Sequence, residues 1–118
     1  MYYIYIVRCA DGSHYTGITT DPARRMREHV LRLKRCAKYT KSHPVVALDA
    51  LWSARTRSDA SKLESRIKQL PPAQKRALIA QPQRLSSLLS ENIDVSSYHP
   101  EPVFSLAPLL AQNMQSAL

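Results

Sequence analysis

Cysteine motifs, targeting segments and long apolar runs are scarce or missing in this sequence. Its two cysteines, Cys9 and Cys36, form no CxxC pair and lack the spacing of metal ligands, so we expect free thiols in a reducing compartment. The first residues carry no basic stretch ahead of a long apolar one, so no signal peptide is expected. No apolar run approaches the roughly 20 residues of a membrane span. These absences predict a cytoplasmic protein with no membrane partner.

Acidic residues are also few. The chain has 17 Lys and Arg against 9 Asp and Glu, which gives a net charge of +8 and a pI near 9.9. All 17 Lys and Arg lie between Arg8 and Arg84. A basic body that carries aromatics suits nucleic acid better than a membrane surface, because no long basic amphipathic helix stands apart from it. A basic surface that serves solubility alone remains the alternative.

Length and composition predict one domain followed by an extension. The 118 residues suffice for a self-sufficient core. From residue 90 onward charge falls away and prolines recur. We predict a body over residues 1–82 and, over residues 83–118, a short helix and a C-terminal extension that is either docked on the body or partly disordered.

The first twenty residues predict a β-hairpin, because two runs rich in β-branched and aromatic residues flank a polar turn. A two-residue loop would put Tyr5 and Tyr15 on opposite faces. A three-residue loop over residues 10–12, with Gly12 at positive φ, pairs Tyr5 with Gly17 and puts both phenols on one face. We favour the three-residue loop, in which Gly17 leaves a gap beside the phenols.

The rest of the body predicts one more strand between helices. A helix capped by Asp21 should run from Pro22 to about Lys34, with Leu33 among its core positions. The other predicted elements are a strand over Val45–Ala54, a helix over Asp59–Leu70 capped by Ser58 or Asp59, a helix over Pro72–Gln81 and a short amphipathic piece over Arg84–Leu89. The predicted fold class is α+β, a small three-stranded antiparallel β-sheet flanked by helices.

Three polar side chains are placed for chemistry. Arg25 and His29 lie one helical turn apart, with Arg32 continuing the line, and could hold a phosphate; a solvated basic face is the alternative. Glu64 falls within an apolar helical stripe, where a lone carboxylate is costly unless it is paired or metal-bound. The alternative places Glu64 at the flank of the stripe, bonded to an arginine.

The tyrosines admit two interpretations each. Tyr5 and Tyr15 could be ordinary cross-strand packing residues. Tyr39, beside Lys38 in a basic linker, could stack on a base or reach a phosphate, or it could anchor its own segment.

Taken in order, these residues resemble the GIY-YIG nuclease superfamily over residues 2–80. The resemblance is closest to the small single-domain bacterial branch of uncharacterised endonucleases. It is carried by Tyr3-Ile4-Tyr5, Tyr15-Thr16-Gly17, Arg25, His29, Glu64, and the segments Asp11–Ser13, Ile18–Thr20 and Ala37–Thr40. The first motif begins with a tyrosine in place of glycine.

The resemblance implies an endonuclease that hydrolyses phosphodiester bonds in DNA, or in RNA, with one Mg²⁺ or Mn²⁺. The catalytic residues that it implies are Tyr5, Tyr15, Arg25, His29 and Glu64. Glu64 would be the metal ligand, Tyr15 the general base, and Arg25 the cation that stabilises the transition state. Tyr5 and His29 would orient water or phosphate. The expected nucleic-acid-binding residues are Arg24, Arg32, Lys38, Tyr39 and Lys41.

Two other functions stay open at this point. Many superfamily members place an asparagine after the glutamate helix, whereas this chain has only Asn92 and Asn113. That departure favours a non-catalytic nucleic-acid-binding module on the same fold. A protein-interaction adaptor acting through residues 100–112 is the third interpretation. The sequence does not decide the oligomeric state.

Overall fold

The computed structural model describes residues 1–89 and 93–116, which form one α+β arrangement of a β-sheet between helices. Its elements in chain order are β1 (Tyr2–Cys9), β2 (His14–Thr19), α1 (Pro22–Val30), α2 (Lys38–Ser42), β3 (Val45–Ala54), α3 (Arg57–Gln69), α4 (Pro72–Ala80), α5 (Leu85–Leu89), a 3₁₀ turn (Val95–Ser97), β4 (Tyr98–Pro100) and α6 (Ala107–Ser116).

The hairpin of β1 and β2 has the three-residue loop. Tyr5 lies opposite Gly17 and Val7 lies opposite Tyr15, so the favoured register is confirmed. Gly12 has a φ of 85°, a conformation that costs glycine little, and its amide closes the turn on the Cys9 carbonyl at 2.9 Å. Both phenols therefore lie on one face of the sheet.

Within residues 1–89 and 93–116 the sheet has four antiparallel strands in the order β2-β1-β3-β4, so the prediction of three strands is wrong in number. The predicted third strand over Val45–Ala54 is confirmed as β3. The missed strand, β4, has three residues and ends at Pro100, which gives too little alternation to predict a strand. An edge strand tolerates that proline because it needs hydrogen bonds on one side only.

Alternation along β1 gives the protein two apolar layers. Ile4 and Ile6 point to the layer that α3, α4 and α5 cover. Tyr5 and Val7 point to the opposite layer, which Met26 and Val30 of α1 fill together with residues of β3 and the extension. Because successive side chains of a strand point to opposite faces of the sheet, β1 contributes to both layers. The free thiols of Cys9 and Cys36 are buried.

Helix α1 ends at Val30, not near Lys34, and the predicted line of Arg25, His29 and Arg32 on one helical face is wrong for Arg32. Arg32 has a φ of 51°. Its amide bonds the His29 carbonyl at 3.3 Å, and the Leu33 amide bonds the Glu28 carbonyl at 2.9 Å. This pair of hydrogen bonds is a Schellman motif. Its left-handed position is usually a glycine and here is Arg32. Leu33 is consequently exposed rather than in the core.

Helix α3 begins two residues earlier than predicted. Its cap is Thr56, whose hydroxyl accepts from the Asp59 amide at 3.1 Å, so the predicted caps Ser58 and Asp59 are wrong. Asp59 instead lies in the first turn, where its charge complements the helix dipole. The aligned stripe of Ala60, Leu63 and Ile67 is buried as predicted.

The described part of the extension packs on the body. The amide of Glu101 donates to the Leu51 carbonyl at 2.8 Å beside the β3–β4 pairing. Leu106 is buried in the layer that Tyr5 and Val7 share, and α6 contacts α1. Pro108 lies in the first turn of α6, where proline is tolerated. No helix within residues 1–89 and 93–116 is long and apolar enough to cross a bilayer.

Candidate active site

Four of the predicted catalytic side chains meet on the face of the sheet that carries the two phenols. The ring centroids of Tyr5 and Tyr15 are 6.4 Å apart. The His29 ring lies 5.5 Å from that of Tyr5 and 5.7 Å from that of Tyr15. Arg25 donates from Nε to the Tyr5 hydroxyl at 3.3 Å. Residues far apart in the sequence are thus brought into one cluster by β1, β2 and α1.

Gly17 makes this cluster possible. A Cβ at Gly17 would fall 2.6 Å from Cζ of Tyr5 and closer still to its hydroxyl oxygen. The phenol of Tyr5 therefore lies directly over the Gly17 backbone, in the gap predicted from the register. Because β2 is an edge strand of the sheet, this path carries the Tyr5 hydroxyl toward the β2 edge.

A directed chain of hydrogen bonds runs through the buried centre. The Thr40 hydroxyl donates to the Ala37 carbonyl at 3.0 Å, so it accepts from Nδ1 of His29 at 2.8 Å. With its proton on Nδ1, neutral His29 accepts at Nε2 from the Tyr5 hydroxyl at 2.7 Å. Tyr5 in turn accepts from Arg25. Each donor and acceptor of this hydrogen-bond chain has one consistent role.

Burial sets the protonation states of the hydrogen-bond chain. Burial, together with the charge of Arg25, lowers the pKa of His29 to about 4, against a smaller opposite effect of Glu28. Burial raises the pKa of Tyr5 well above its usual value, an effect that the hydrogen bond from Arg25 reduces and the charges of Tyr15 and Glu64 increase. His29 and Tyr5 are therefore neutral at neutral pH. Both side chains are fully buried in this conformation. That Tyr5 and His29 orient water or phosphate stays a prediction.

Arg25 is held in place by hydrogen bonds, and two of its N–H groups remain unbonded among the described residues. Its Nη1 donates to Glu28 at 3.0 Å and to the Arg35 carbonyl at 2.6 Å. Burial alone would lower the pKa of Arg25, but hydrogen bonds to Tyr5 and Glu28 outweigh it and raise the pKa, so the charge is permanent. Within residues 1–89 and 93–116, Nη2 has no hydrogen-bond partner. A fixed guanidinium with two unused N–H donors is suited to a phosphate.

Tyr15 is half-buried and lies among rings and a cation. It stacks on Tyr39 with centroids 5.9 Å apart at an interplanar angle of 17°. Nζ of Lys68 lies 5.6 Å from the centroid of its ring. Among the described residues nothing bonds the Tyr15 hydroxyl. Of the two tyrosine hydroxyls in the cluster, the one of Tyr15 can therefore contact a water or a substrate.

Glu64 lies at the margin of the buried stripe of α3, not within it. Its side chain is 23% exposed, and Oε2 is 3.5 Å from Nζ of Lys68. The predicted alternative partner, an arginine, is thus replaced by a lysine one turn on. Lys68 contacts both the Glu64 carboxylate and the ring of Tyr15, so it links Glu64 to the cluster of the two phenols.

The side chains present fit a site in which one carboxylate binds a hard cation, not a site in which several protein ligands surround the metal. No cluster of three or more His, Cys, Asp and Glu side chains suited to a metal occurs in the part of the chain that the structure describes. Mg²⁺ commonly binds through one or two carboxylates plus substrate phosphate and keeps several waters. Glu64 is partly exposed, and within residues 1–89 and 93–116 it is held only by a long pair with Lys68, so it meets that requirement.

The predicted nucleic-acid-binding residues are exposed but come from three places. Arg24 lies in the first turn of α1 and Arg32 in the turn that ends it. The remaining three, Lys38, Tyr39 and Lys41, belong to α2. Of the two asparagines considered for the family position, Asn92 lies outside the described residues and Asn113 lies in α6.

Two residues of the site were not predicted. Thr40 fixes the His29 tautomer, and nothing in the Lys38-Tyr39-Thr40 tripeptide signals that role. Lys68 pairs with Glu64, and its spacing of four residues on a helix is a signal that could have identified it.

Comparisons with known proteins show the family of the chain. The GIY-YIG catalytic domain matches residues 1–77. The UPF0213 protein DP2720 of Desulfotalea psychrophila is 51% identical over 78 residues, which are 66% of this chain and 70% of that protein. The UPF0213 protein VNG_2274C of Halobacterium salinarum is 45% identical over 78 residues, 66% of this chain and 99% of that one. The UPF0213 protein YhbQ of Salmonella arizonae is 40% identical over 89 residues, 75% and 87% of the two chains.

One solved structure is also similar. It is the solution NMR structure of the UPF0213 protein BH0048 from Bacillus halodurans, with 30% identity, a TM-score of 0.42, and coverage of 80% of this chain and all of that one. The domain match over residues 1–77 and the identity to UPF0213 proteins establish that this chain belongs to the GIY-YIG family of nuclease domains.

Proposed function

We propose that the protein is an endonuclease that hydrolyses phosphodiester bonds in DNA, with Mg²⁺ or Mn²⁺ as cofactor. The observation that carries the proposal is a connected set of contacts: Arg25 bonds Tyr5, the ring of Tyr5 lies beside that of Tyr15, and Lys68 contacts both Tyr15 and Glu64. Nη2 of Arg25 and the hydroxyl of Tyr15 have no hydrogen-bond partner among the described residues, and Glu64 is held by a long ion pair. Hydrolysis of a phosphodiester needs charge stabilisation, a proton acceptor for water and help for the leaving oxygen.

Each group has a role that its environment supports. Arg25 binds the scissile phosphate through Nη2, and its other N–H donors stay bonded to protein, so it is preorganised for the charge of the transition state. Tyr15 would act as general base in its phenolate form: its hydroxyl proton first passes to solvent, and the phenolate then takes the proton of the attacking water and becomes the neutral phenol. Tyr5 and His29 act as positioning residues, because their bonds fix the guanidinium and leave them without access to the phosphate.

Glu64 would hold the cation. A bound Mg²⁺ or Mn²⁺ would polarise the phosphate and stabilise the leaving oxygen. Lys68 would have to release Glu64 for this; the pair is long and Lys68 is about half exposed, so its loss costs little.

Basic residues of the protein attract the nucleic-acid strand. Arg24, Lys38 and Lys41 are exposed, and the net charge is +8. Binding should weaken steeply as salt rises, because phosphate contacts release counterions. A cytosolic location is part of this proposal.

Cleavage of plasmid, single-stranded and branched DNA with Mg²⁺ or Mn²⁺ tests the proposal. We expect Glu64→Gln and Arg25→Ala to abolish cleavage while the fold is retained. Glu101→Gln is the matched control, because that carboxylate bonds Ser53 beside β4 and should leave cleavage intact. Cleavage that persists in both site variants, or that needs no divalent ion, would refute the assignment of roles.

The second candidate is a nucleic-acid-binding module on the same fold without turnover. The ion pair between Lys68 and Glu64 favours it, since it neutralises the carboxylate without a metal. DNA binding that survives with no cleavage in any metal would support this candidate and refute the endonuclease.

A further inference from the structure

Three rings form a ladder that leads away from the candidate active site. Tyr15 stacks on Tyr39, and Tyr39 stacks on His43 with centroids 3.9 Å apart and ring planes within 5°. No ring of residues 1–89 or 93–116 contacts His43 beyond Tyr39, so His43 ends the ladder. Its side chain is about one-third exposed, and Tyr39 is 36% exposed.

Hydrogen bonds hold the rings of the ladder in place. Nδ1 of His43 donates to the Tyr39 carbonyl at 2.8 Å, which holds the imidazole flat against the phenol. Thr40, the residue between Tyr39 and Lys41, bonds His29 at 2.8 Å and thereby ties α2 to α1. The rings therefore keep a set position relative to Arg25 and Tyr15 without any ligand.

The charges around the ladder distinguish a base from a phosphate. An Asp11 carboxylate oxygen lies 3.9 Å from Nε2 of His43. Bonds from Ser13 lower the pKa of Asp11, so this carboxylate is charged and repels a phosphate at the end of the ladder. Lys38 and Lys41, on the same short helix as Tyr39, supply positive charge for the phosphates on either side. A neutral nucleobase is the substrate group that suits the rings.

We infer that the Tyr39–His43 pair seats an unpaired nucleobase next to the scissile phosphate, so that the substrate class is nucleic acid with a single-stranded segment at the cut. The inference rests on the proposed function. Stacking on the end of the ladder requires a base with a free π-face, and bases inside a duplex have both faces covered. Aromatic platforms of this kind are typical of single-strand binders.

Binding measured in EDTA tests the seat without cleavage. The probes are a short single strand that carries 2-aminopurine and the blunt duplex of the same sequence. We expect quenching of 2-aminopurine by the wild-type protein. His43→Leu should lose this quenching and about tenfold of its single-strand affinity, with duplex affinity unchanged. His43→Phe, which keeps a flat ring, should retain both.

Phe104→Leu is the matched control, because Phe104 is an aromatic of similar exposure, 39%, on the extension. It should bind like the wild type. Absence of single-strand binding by the wild type, equal losses for single strand and duplex in His43→Leu, or no loss at all would overturn the inference.

Plasmid cleavage with Mg²⁺ separates this result from the proposed function. Quenching that depends on His43 in a protein that never cleaves would refute the endonuclease and leave the base seat intact. Metal-dependent cleavage with wild-type single-strand binding in His43→Leu would refute the seat alone.

Discussion

Mild acid should destabilise the protein through His29. The perturbation is a fall in pH from 7 to 5. In the unfolded chain His29 has its ordinary pKa of about 6.5, whereas burial and the charge of Arg25 lower its pKa to about 4 in the folded protein. The unfolded state therefore binds more protons between these two pKa values, and stability falls as pH falls through that window.

The magnitude follows from the two pKa values. Between pH 7 and pH 5 this one histidine removes about 2 kcal/mol of unfolding free energy, and the full loss of about 3 kcal/mol is reached only below pH 4. Asp11 and Asp94 have lowered pKa values through their serine bonds and act in the same direction. Their ordinary pKa is near 4, so they contribute little above pH 5.

Urea unfolding at several pH values measures this effect. His29→Gln offers a non-titrating acceptor and donor in place of the imidazole, and it should flatten the dependence between pH 7 and pH 5. His99→Gln, a change at an exposed histidine of β4, should leave it unchanged. A wild-type stability that is level or rises toward pH 5, or a slope that survives in His29→Gln, would refute the burial argument.

Three further substitutions, one of them with a matched control, probe the packing and the site. Gly17→Ala places a methyl group against the ring of Tyr5 and should destabilise by about 1–3 kcal/mol in urea unfolding; wild-type stability would contradict the close approach. Leu106→Ala should cost about 2–5 kcal/mol, whereas Val103→Ala, at an exposed position nearby, should cost almost nothing, and equal effects would contradict the docking of the extension. Arg25→Lys keeps the charge but loses the planar guanidinium, so kcat for plasmid cleavage should fall about 10²-fold in a variant that still folds, and a fully active lysine variant would contradict preorganisation.

The hairpin could be predicted because few registers satisfy its loop. A glycine at the third loop position admits positive φ, and the resulting shift by one residue decides which face carries Tyr15. The order of tyrosines, Arg25 and Glu64 then identified the family. These signals are local, and local signals are what a single sequence displays best.

The missed features depend on tertiary context. The apolar spacing of α1 continues through Leu33, but the helix ends earlier in a termination that uses Arg32 where glycine is usual. Buried His29 is hydrogen-bonded by the hydroxyls of Tyr5 on β1 and Thr40 on α2. The sequence of α1 alone does not predict these partners. β4 depends on an open edge of β3, which is a property of the assembled sheet.

The pairing of β4 with β3 also matters during synthesis. Residues 98–100 leave the ribosome well after β3 can pair with the hairpin, so for that interval Trp52 and its neighbours present an uncovered strand edge. Bare edges recruit other strands. Neighbouring nascent chains on one messenger RNA would therefore be open to pairing through this edge until residues 98–100 cover it.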